Sequence, residues 1–378
     1  MTTGRLTPES LGHGYLAGVR VPSFGVEEEL MLVSATGDPL PRSKAVVADL
    51  PDVELELTRA MVEINSPVCQ TAGELRRHLD TMRAELAGAA AAEGARLLAI
   101  AVPPQGKPAQ AITNKPRYQE LALRWGLLAR EQGVCGCHVH VEVPDKQAAV
   151  RASNHVRPWL PALLALTANS PIYLGRDTGF ASWRWLMTTR WPCAGPPPYL
   201  ESPEHFDALV SMHLAAGTLI DERMVYWDIR PSTHLPTVEV RVSDVPLTVD
   251  ETVLLATLVR ALVMTALEDG SQGPRLEPEV LRAAYWLAAR DGLTANGVDV
   301  RTAEPMPVAE LLKRLRQHVE PALQELDALE LVDDGLQRAL TDGNGAIKQR
   351  NAFREGGDFT ALTQVSVGSP PDRAGRRC

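Results

Sequence analysis

The sequence predicts an α+β fold built on one mainly antiparallel sheet. Three observations carry that expectation. Short strand signals and longer helical ones follow one another irregularly, without the strict alternation of a parallel α/β sheet. The strand segments alternate apolar and polar residues, so each has one face for a core. Helical segments are interspersed among the strands, and one of them, Ala148–Ala168, is apolar enough to be buried on most sides.

Taken in order, Phe24–Val33 is the first strand, and Val53–Leu57 with Met61–Asn65 form a hairpin-like unit. Gly73–Gly94 carries Leu75, Leu79, Met82, Leu86 and Ala90 at helical spacing. Leu97–Val102 is a strand that runs into the loop Pro103-Pro104-Gln105-Gly106. Cys135–Val143 is the next strand, and Ala148–Ala168 is a helix buried on most sides. After the loop Gly195-Pro196-Pro197-Pro198 come the strands Val225–Arg230 and Thr237–Ser243. Thr248–Leu267, Glu277–Arg290 and Val308–Leu340 read as helices, the last breaking near Pro321. Without a repeat or a long linker, residues 1–365 are expected to form a single catalytic domain, with 366–378 a disordered tail.

The chain has 378 residues, 38 Lys+Arg against 47 Asp+Glu, and a net charge of −9. Apolar residues make up 45%, ample material for a core, which excludes chain-wide disorder. The acid excess argues against a nucleic-acid partner, which needs a basic footprint. Cys69, Cys135, Cys137, Cys193 and Cys378 are sparse and odd in number, as in a reducing compartment. No apolar leader opens the chain and no run reaches the roughly 18 apolar residues of a membrane span. The nearest, Val253–Leu267, contains Arg260 and reads as a buried helix. These features predict a cytoplasmic protein without a membrane partner. A homodimer is compatible with the sequence, which leaves oligomeric state open.

Alternation along the strands selects the candidate chemistry. In Thr237–Ser243, Val238, Val240 and Val242 face the core, leaving Thr237, Glu239, Arg241 and Ser243 on the other side. In Cys135–Val143, Gly136, His138, His140 and Glu142 share the face opposite the cysteines and valines. Glu27 and Glu29 share a face, as do Glu54 and Glu56, and Glu63 follows. For any one strand the plainer reading is a solvated face, which fits Glu28 and Glu54. Four strands doing so with Glu and His point elsewhere, because clustered carboxylates repel unless a cation lies between them. Hard oxygen donors with an imidazole suit two or three Mg²⁺ or Mn²⁺ ions, and Arg241 beside Glu239 suits a phosphate. Cys135-Gly136-Cys137-His138-Val139-His140 resembles a zinc run, but on a strand its Cys and His point to opposite faces. Gly106-Lys107 is followed by Pro108, so there is no P-loop, and no dinucleotide-binding glycine motif is present.

These segments resemble the type 2 glutamate–cysteine ligase family, the bacterial carboxylate–amine ligases. The matching runs are Gly25–Leu30, Met61–Pro67, Val134–Val141, Asn169–Pro171, Gly175–Phe180, Tyr226–Ser232 and Val238–Val242, with a weaker match near Gly343–Arg350. The resemblance implies a glutamine synthetase-like fold, a curved antiparallel sheet lined with metal-binding carboxylates and covered outside by helices. It also implies ATP-dependent joining of a carboxylate to an amine, with glutamate and cysteine as reference substrates; because hydroxide is a poor leaving group, the expected route is an acyl phosphate formed on the γ-phosphate.

Carried over residue by residue, Glu27, Glu29, Glu56, Glu63, His138 and Glu239 look like metal ligands, and Arg241, Glu239 and Glu63 like catalytic groups. Arg241, His138, His140, Lys348 and Arg350 are expected on the nucleotide. Asp177, Arg184, Tyr226 and Arg230 are expected on substrate. Two positions depart from the family pattern. Val102-Pro103-Pro104 stands where relatives carry a Gly-Thr-His-Pro-like run, and Glu142 replaces a glycine, which puts a charge near the site entrance. Two alternatives to the reference reaction are a specialised biosynthetic amide ligase and a guanidino-type phosphotransferase on the same fold.

Overall fold

The computed structural model describes residues 15–16 and 19–356, so the expected tail 366–378 lies outside the described residues. Its centre is a seven-stranded sheet in which every pairing is antiparallel. In chain order the strands are β1 (Phe24–Val33), β2 (Val53–Leu55), β3 (Met61–Asn65), β4 (Arg96–Leu98), β5 (Gly136–Glu142), β6 (Ile229–Pro231) and β7 (Thr237–Asp244). Across the sheet the order is β6-β7-β5-β1-β3-β2, and β4 pairs with the end of β1.

One face of the sheet is apolar. Val26, Leu30, Val62, Ile64, Cys137, Val139, Val141, Val238 and Val240 are all buried there. They pack on helices, chiefly α1 (Ala72–Ala92), α3 (Lys146–Val156), α4 (Leu160–Thr167) and α6 (Val249–Asp269), with α2 (Pro116–Trp125) and α5 (Trp183–Thr188) elsewhere in the chain. The helices α1 and α6 each start with a capping box, Thr71 with Glu74 and Thr248 with Glu251, which satisfies the first free N–H groups. Leu75, Leu79 and Leu86 of α1 are fully buried against the sheet, each worth about 1.5–3 kcal/mol of transfer energy.

Glu28 departs from its sequence reading. It does not face solvent. Its carboxylate points into the helix layer and is fully buried, where Arg83 of α1 grips it through two bonds of 2.7 and 2.8 Å. Thr252 of α6 donates a third, at 2.5 Å. A charge on the core face is tolerated because its partner is buried with it.

Other boundaries differ for local reasons. The helix expected over Ala148–Ala168 is α3 and α4 joined by the 3₁₀ turn Arg157–Trp159, since Pro158 and Pro161 cannot extend an α-helical ladder. The segment expected over Val308–Leu340 is three helices, α8 (Val308–His318), α9 (Glu320–Glu325) and α10 (Leu329–Asp342). Between α6 and α8 runs α7 (Pro278–Asp291), and α11 (Gly345–Arg354) ends the described chain. Val225–Arg230 splits at Asp228. Tyr226–Trp227 pairs in parallel with Ala194–Gly195, and only Ile229 onward joins the main sheet.

Candidate active site

The register of the sheet assembles the site. Glu27 lies opposite His138 on β5 and Asn65 on β3, and Glu29 lies opposite Glu63. Glu239 lies opposite His140 on one side and Arg230 on the other. These side chains therefore share the face that the helices leave open, above which is a cavity of about 800 Å³. A one-residue slip in any strand would send its contribution to the core side. β7 shows this directly. A bulge between Val240 and Ser243 puts Ser243 opposite Cys137, so Ser243 turns to the core face and not to the cavity as alternation predicts.

Two groups of donors form on this floor. In the first, one atom each from Glu27, His140 and Glu239 lie within 4.8 Å of one another. His140 Nδ1 is 3.0 Å from the Thr237 hydroxyl, which fixes the ring and turns Nε2 toward the carboxylates. Nε2 is buried and makes no hydrogen bond, yet it lies 3.2 Å from Glu27 Oε1 and 3.9 Å from Glu239 Oε1. Around an octahedral cation with ligands near 2.1 Å, neighbouring ligand atoms stand about 3 Å apart. Against burial, the Glu239 and Glu27 carboxylates raise the His140 pKa, and the same three donors could hold a divalent cation in place of that proton.

Basic groups keep this half ionised. Burial raises the Glu239 carboxyl, but Arg230 and Arg241 outweigh it and hold its pKa well below the usual range. Glu27 is lowered in the same way, with burial opposed by His140 and His138. Arg230 Nε donates to Glu239 Oε2 at 2.8 Å, and Arg241 pairs with Glu239 Oε1. His138 Nδ1 sits 2.9 Å from Glu27 Oε2 and 3.3 Å from Arg241 Nη1. Burial and the Arg241 guanidinium pull His138 down to about 4, so it is neutral at pH 7.

The second group is Glu29, Glu56 and Glu63, again within 4.8 Å. Here nothing comparable offsets the charge. Burial, then the neighbouring Glu56, pushes Glu29 up to about 7 against the pull of Arg184. Burial and the carboxylates of Glu27, Glu56 and Glu29 push Glu63 well above its ordinary value. Three partly buried oxygen donors that resist ionising together are a site short of positive charge, which a divalent cation could supply. The donor set of both groups, all oxygen with one imidazole, suits Mg²⁺ or Mn²⁺.

Residues 23–361 match the model of Glutamate-cysteine ligase family 2. The chain belongs to that family. As a member, this ligase is an enzyme that forms amide bonds. A relative from Nocardia farcinica is 50% identical over 349 residues, covering 90% of this chain and 91% of its own. One from Mycobacterium sp. (strain KMS) is 49% identical over 347, covering 89% and 95%. Their names, glutamate–cysteine ligase 2-1 and 2-2, are themselves provisional. In fold, the ligase is similar to the glutamate–cysteine ligase of Francisella tularensis in complex with AMP, at a TM-score of 0.67 and 13% identity, covering 91% of this chain and 87% of that one. It is also similar to a bifunctional glutathione synthetase from Pasteurella multocida, at 0.65 and 16%, where it covers 92% of this chain and 52% of the longer one.

The ligase's cavity collects most of the residues singled out from sequence. Glu27, Glu29, Glu56, Glu63, His138, His140, Arg184, Tyr226, Arg230, Glu239 and Arg241 all line it. Arg230 does so with Nε on Glu239 and Nη1 on the carbonyls of Val225 and Arg223, so two of its nitrogens brace a carboxylate and the chain before Tyr226. His140, not His138, completes the three-donor group.

Asp177, Lys348 and Arg350 are not brought to the cavity. Arg350 pairs with Asp177 at 3.0 Å, and Lys348 with Glu251 at 2.7 Å. Asn344 caps α11, and Gln349 is buried on Asn169, so this turn docks a helix and leaves its basic residues elsewhere. Glu142 also stays clear of the cavity. It accepts from Ser23 N and Oγ at 3.1 and 2.8 Å, fixing the entry to β1. Lys115, Arg117, Tyr118, Trp191 and Arg223 line the cavity without having been singled out. They come from irregular segments or helix starts, where no side-chain period marks a face.

Proposed function

We propose that this ligase uses ATP to activate a substrate carboxylate as an acyl phosphate and passes the acyl group to an amine, with L-glutamate and L-cysteine as the reference pair. The observation that carries the reading is the convergence of two three-donor groups and Arg241 in one cavity. Mg²⁺ or Mn²⁺ held by Glu27, His140 and Glu239, and by Glu29, Glu56 and Glu63, supplies positive charge against the triphosphate.

The chain's own residues do the rest. Arg241, its pKa raised by Glu239 and Glu27 despite burial, stays protonated and stabilises charge on the transferring phosphoryl group. Arg230 and Thr237 hold Glu239 and His140 in place. Arg184 and Tyr226 face the same space and contact substrate, with the Tyr226 ring 5.8 Å from the Arg241 guanidinium. The AMP-bound structural relative supports a nucleotide as the phosphoryl donor. The free, buried cysteines support a reducing, cytoplasmic setting. No helix among the described residues is long and apolar enough to cross a membrane.

The test is ATP turnover with glutamate and hydroxylamine, which traps an acyl phosphate as a hydroxamate whatever the natural amine. Hydroxamate that depends on ATP and Mg²⁺, and that is lost in Glu239→Gln, is expected. No hydroxamate across a panel of amino acids and small carboxylic acids would refute the proposal.

A further inference from the structure

We propose that Lys115 and Tyr118 are positioning residues that hold Glu56 in the second carboxylate group and thereby set its affinity for a divalent cation. The inference rests on the reading of Glu29, Glu56 and Glu63 as a cation site.

Glu29 and Glu63 need no help, because they stand opposite each other on paired strands. Glu56 is different. β2 ends at Leu55, so no ladder bond of the sheet fixes the next residue. Its backbone is held instead by the segment that leads into α2. Arg59 N donates to Ala111 O at 2.8 Å, and Thr113 N donates to Leu57 O at 2.9 Å. Two side chains then close on the Leu55 carbonyl that leads into Glu56, and one of them reaches the Glu56 carboxylate. Lys115 Nζ donates to Leu55 O at 2.7 Å. The Tyr118 hydroxyl lies 3.4 Å from both Leu55 O and Glu56 Oε1. The Lys115 ammonium sits 5.4 Å from the centroid of the Tyr118 ring, so the two act as one unit. The other carboxylate oxygen, Oε2, accepts from Leu57 N at 3.0 Å.

The residue types suit this task. Lys115 forms no ion pair among the described residues, so its ammonium is committed to the Leu55 carbonyl that leads into Glu56. The Tyr118 hydroxyl faces a carbonyl and a carboxylate oxygen, so it serves both as a donor. Pro116 fixes the first turn of α2, and Arg117 leaves that turn in another direction. It grips Asp221 through bonds of 2.6 and 2.9 Å, tying α2 to the segment before Tyr226. One turn of helix thus braces two walls of the cavity. The tyrosine contacts are long, so the lysine is the stronger of the two braces.

A metal ligand's supporting partner typically accounts for 10–100-fold in affinity. The experiment is a Mn²⁺ titration of the full-length protein without substrates, read as free Mn²⁺ by electron paramagnetic resonance. Wild type is expected to bind two ions per chain. Glu56→Gln and Lys115→Met should each weaken one of them about 10-fold, Tyr118→Phe should weaken the same one several-fold, and Lys115→Arg should recover most of the loss. In turnover assays the Mg²⁺ activation constant should rise, with KM for ATP and for the acid unchanged. If Lys115→Met does not fold, Tyr118→Phe, which removes a single hydroxyl, carries the test.

Wild-type binding with unaltered variants overturns the positioning role alone. A rise confined to the KM for ATP or acid also overturns it, in favour of direct substrate contact. Wild type that binds no Mn²⁺ overturns the cation-site reading and this inference with it.

Discussion

Replacing Arg83 with methionine should destabilise this ligase by about 3–5 kcal/mol at neutral pH, the usual cost of orphaning one partner of a buried ion pair. Arg83 and Glu28 are both fully buried. The substitution removes two charge-assisted bonds, at 2.7 and 2.8 Å, and leaves the carboxylate with the Thr252 hydroxyl. It also strips a donor from the carbonyls of Leu247 and Pro246, each 3.1 Å away. The orphaned group can escape by taking a proton. An ordinary glutamate ionises near pH 4.3, so that escape costs about 3.5 kcal/mol at pH 7 and about 1 kcal/mol at pH 5. The penalty should therefore shrink as pH falls, which a plain cavity would not do. For a chain of this size the neutral-pH loss corresponds to a fall in Tm of roughly 4–6 °C. The assay is thermal and urea unfolding of wild type, Arg83→Met and Arg83→Met/Glu28→Leu at pH 5 and 7. The double variant should recover most of the loss. A loss under about 1 kcal/mol at pH 7, or one equal at both pH values, would refute the reasoning. So would a double variant no more stable than the single.

Three further outcomes follow from the site. In metal-free protein Glu29 has its pKa raised to about 7, so between the unfolded value near 4.3 and pH 7 the folded state binds more protons than the unfolded one. Stability should fall as pH rises through that window, Glu29→Gln should lose on the order of 3 kcal/mol less across it, and saturating Mg²⁺ should flatten the slope. Gly136→Ala drives a Cβ into the Arg184 guanidinium and must displace it, so kcat should drop in parallel with Arg184→Met. The double variant should be little worse than either, and additive losses would show that Arg184 does not act through that position. Lys348→Ala and Arg350→Ala should leave KM for ATP within about twofold, since both pair with carboxylates away from the cavity. A tenfold rise in either would return them to the nucleotide site.

The sequence by itself determined the antiparallel α+β architecture and most of the cavity floor. Both follow from the two-residue period of a strand, which assigns Glu27, Glu29, Glu63, His138, His140 and Glu239 to one face without knowledge of their neighbours. The period fails where the chain leaves it. The bulge in β7 turns Ser243 inward, and Glu28 keeps the period but finds Arg83 across it, 55 residues away. Register and docking decided the rest. They chose His140 over His138 for the three-donor group, took Asp177, Lys348 and Arg350 away from the cavity, and brought Lys115 and Tyr118 to Glu56. These are contacts between segments distant in sequence, set by how whole elements pack. Local periodicity reports which side of an element a residue occupies, but not what stands opposite.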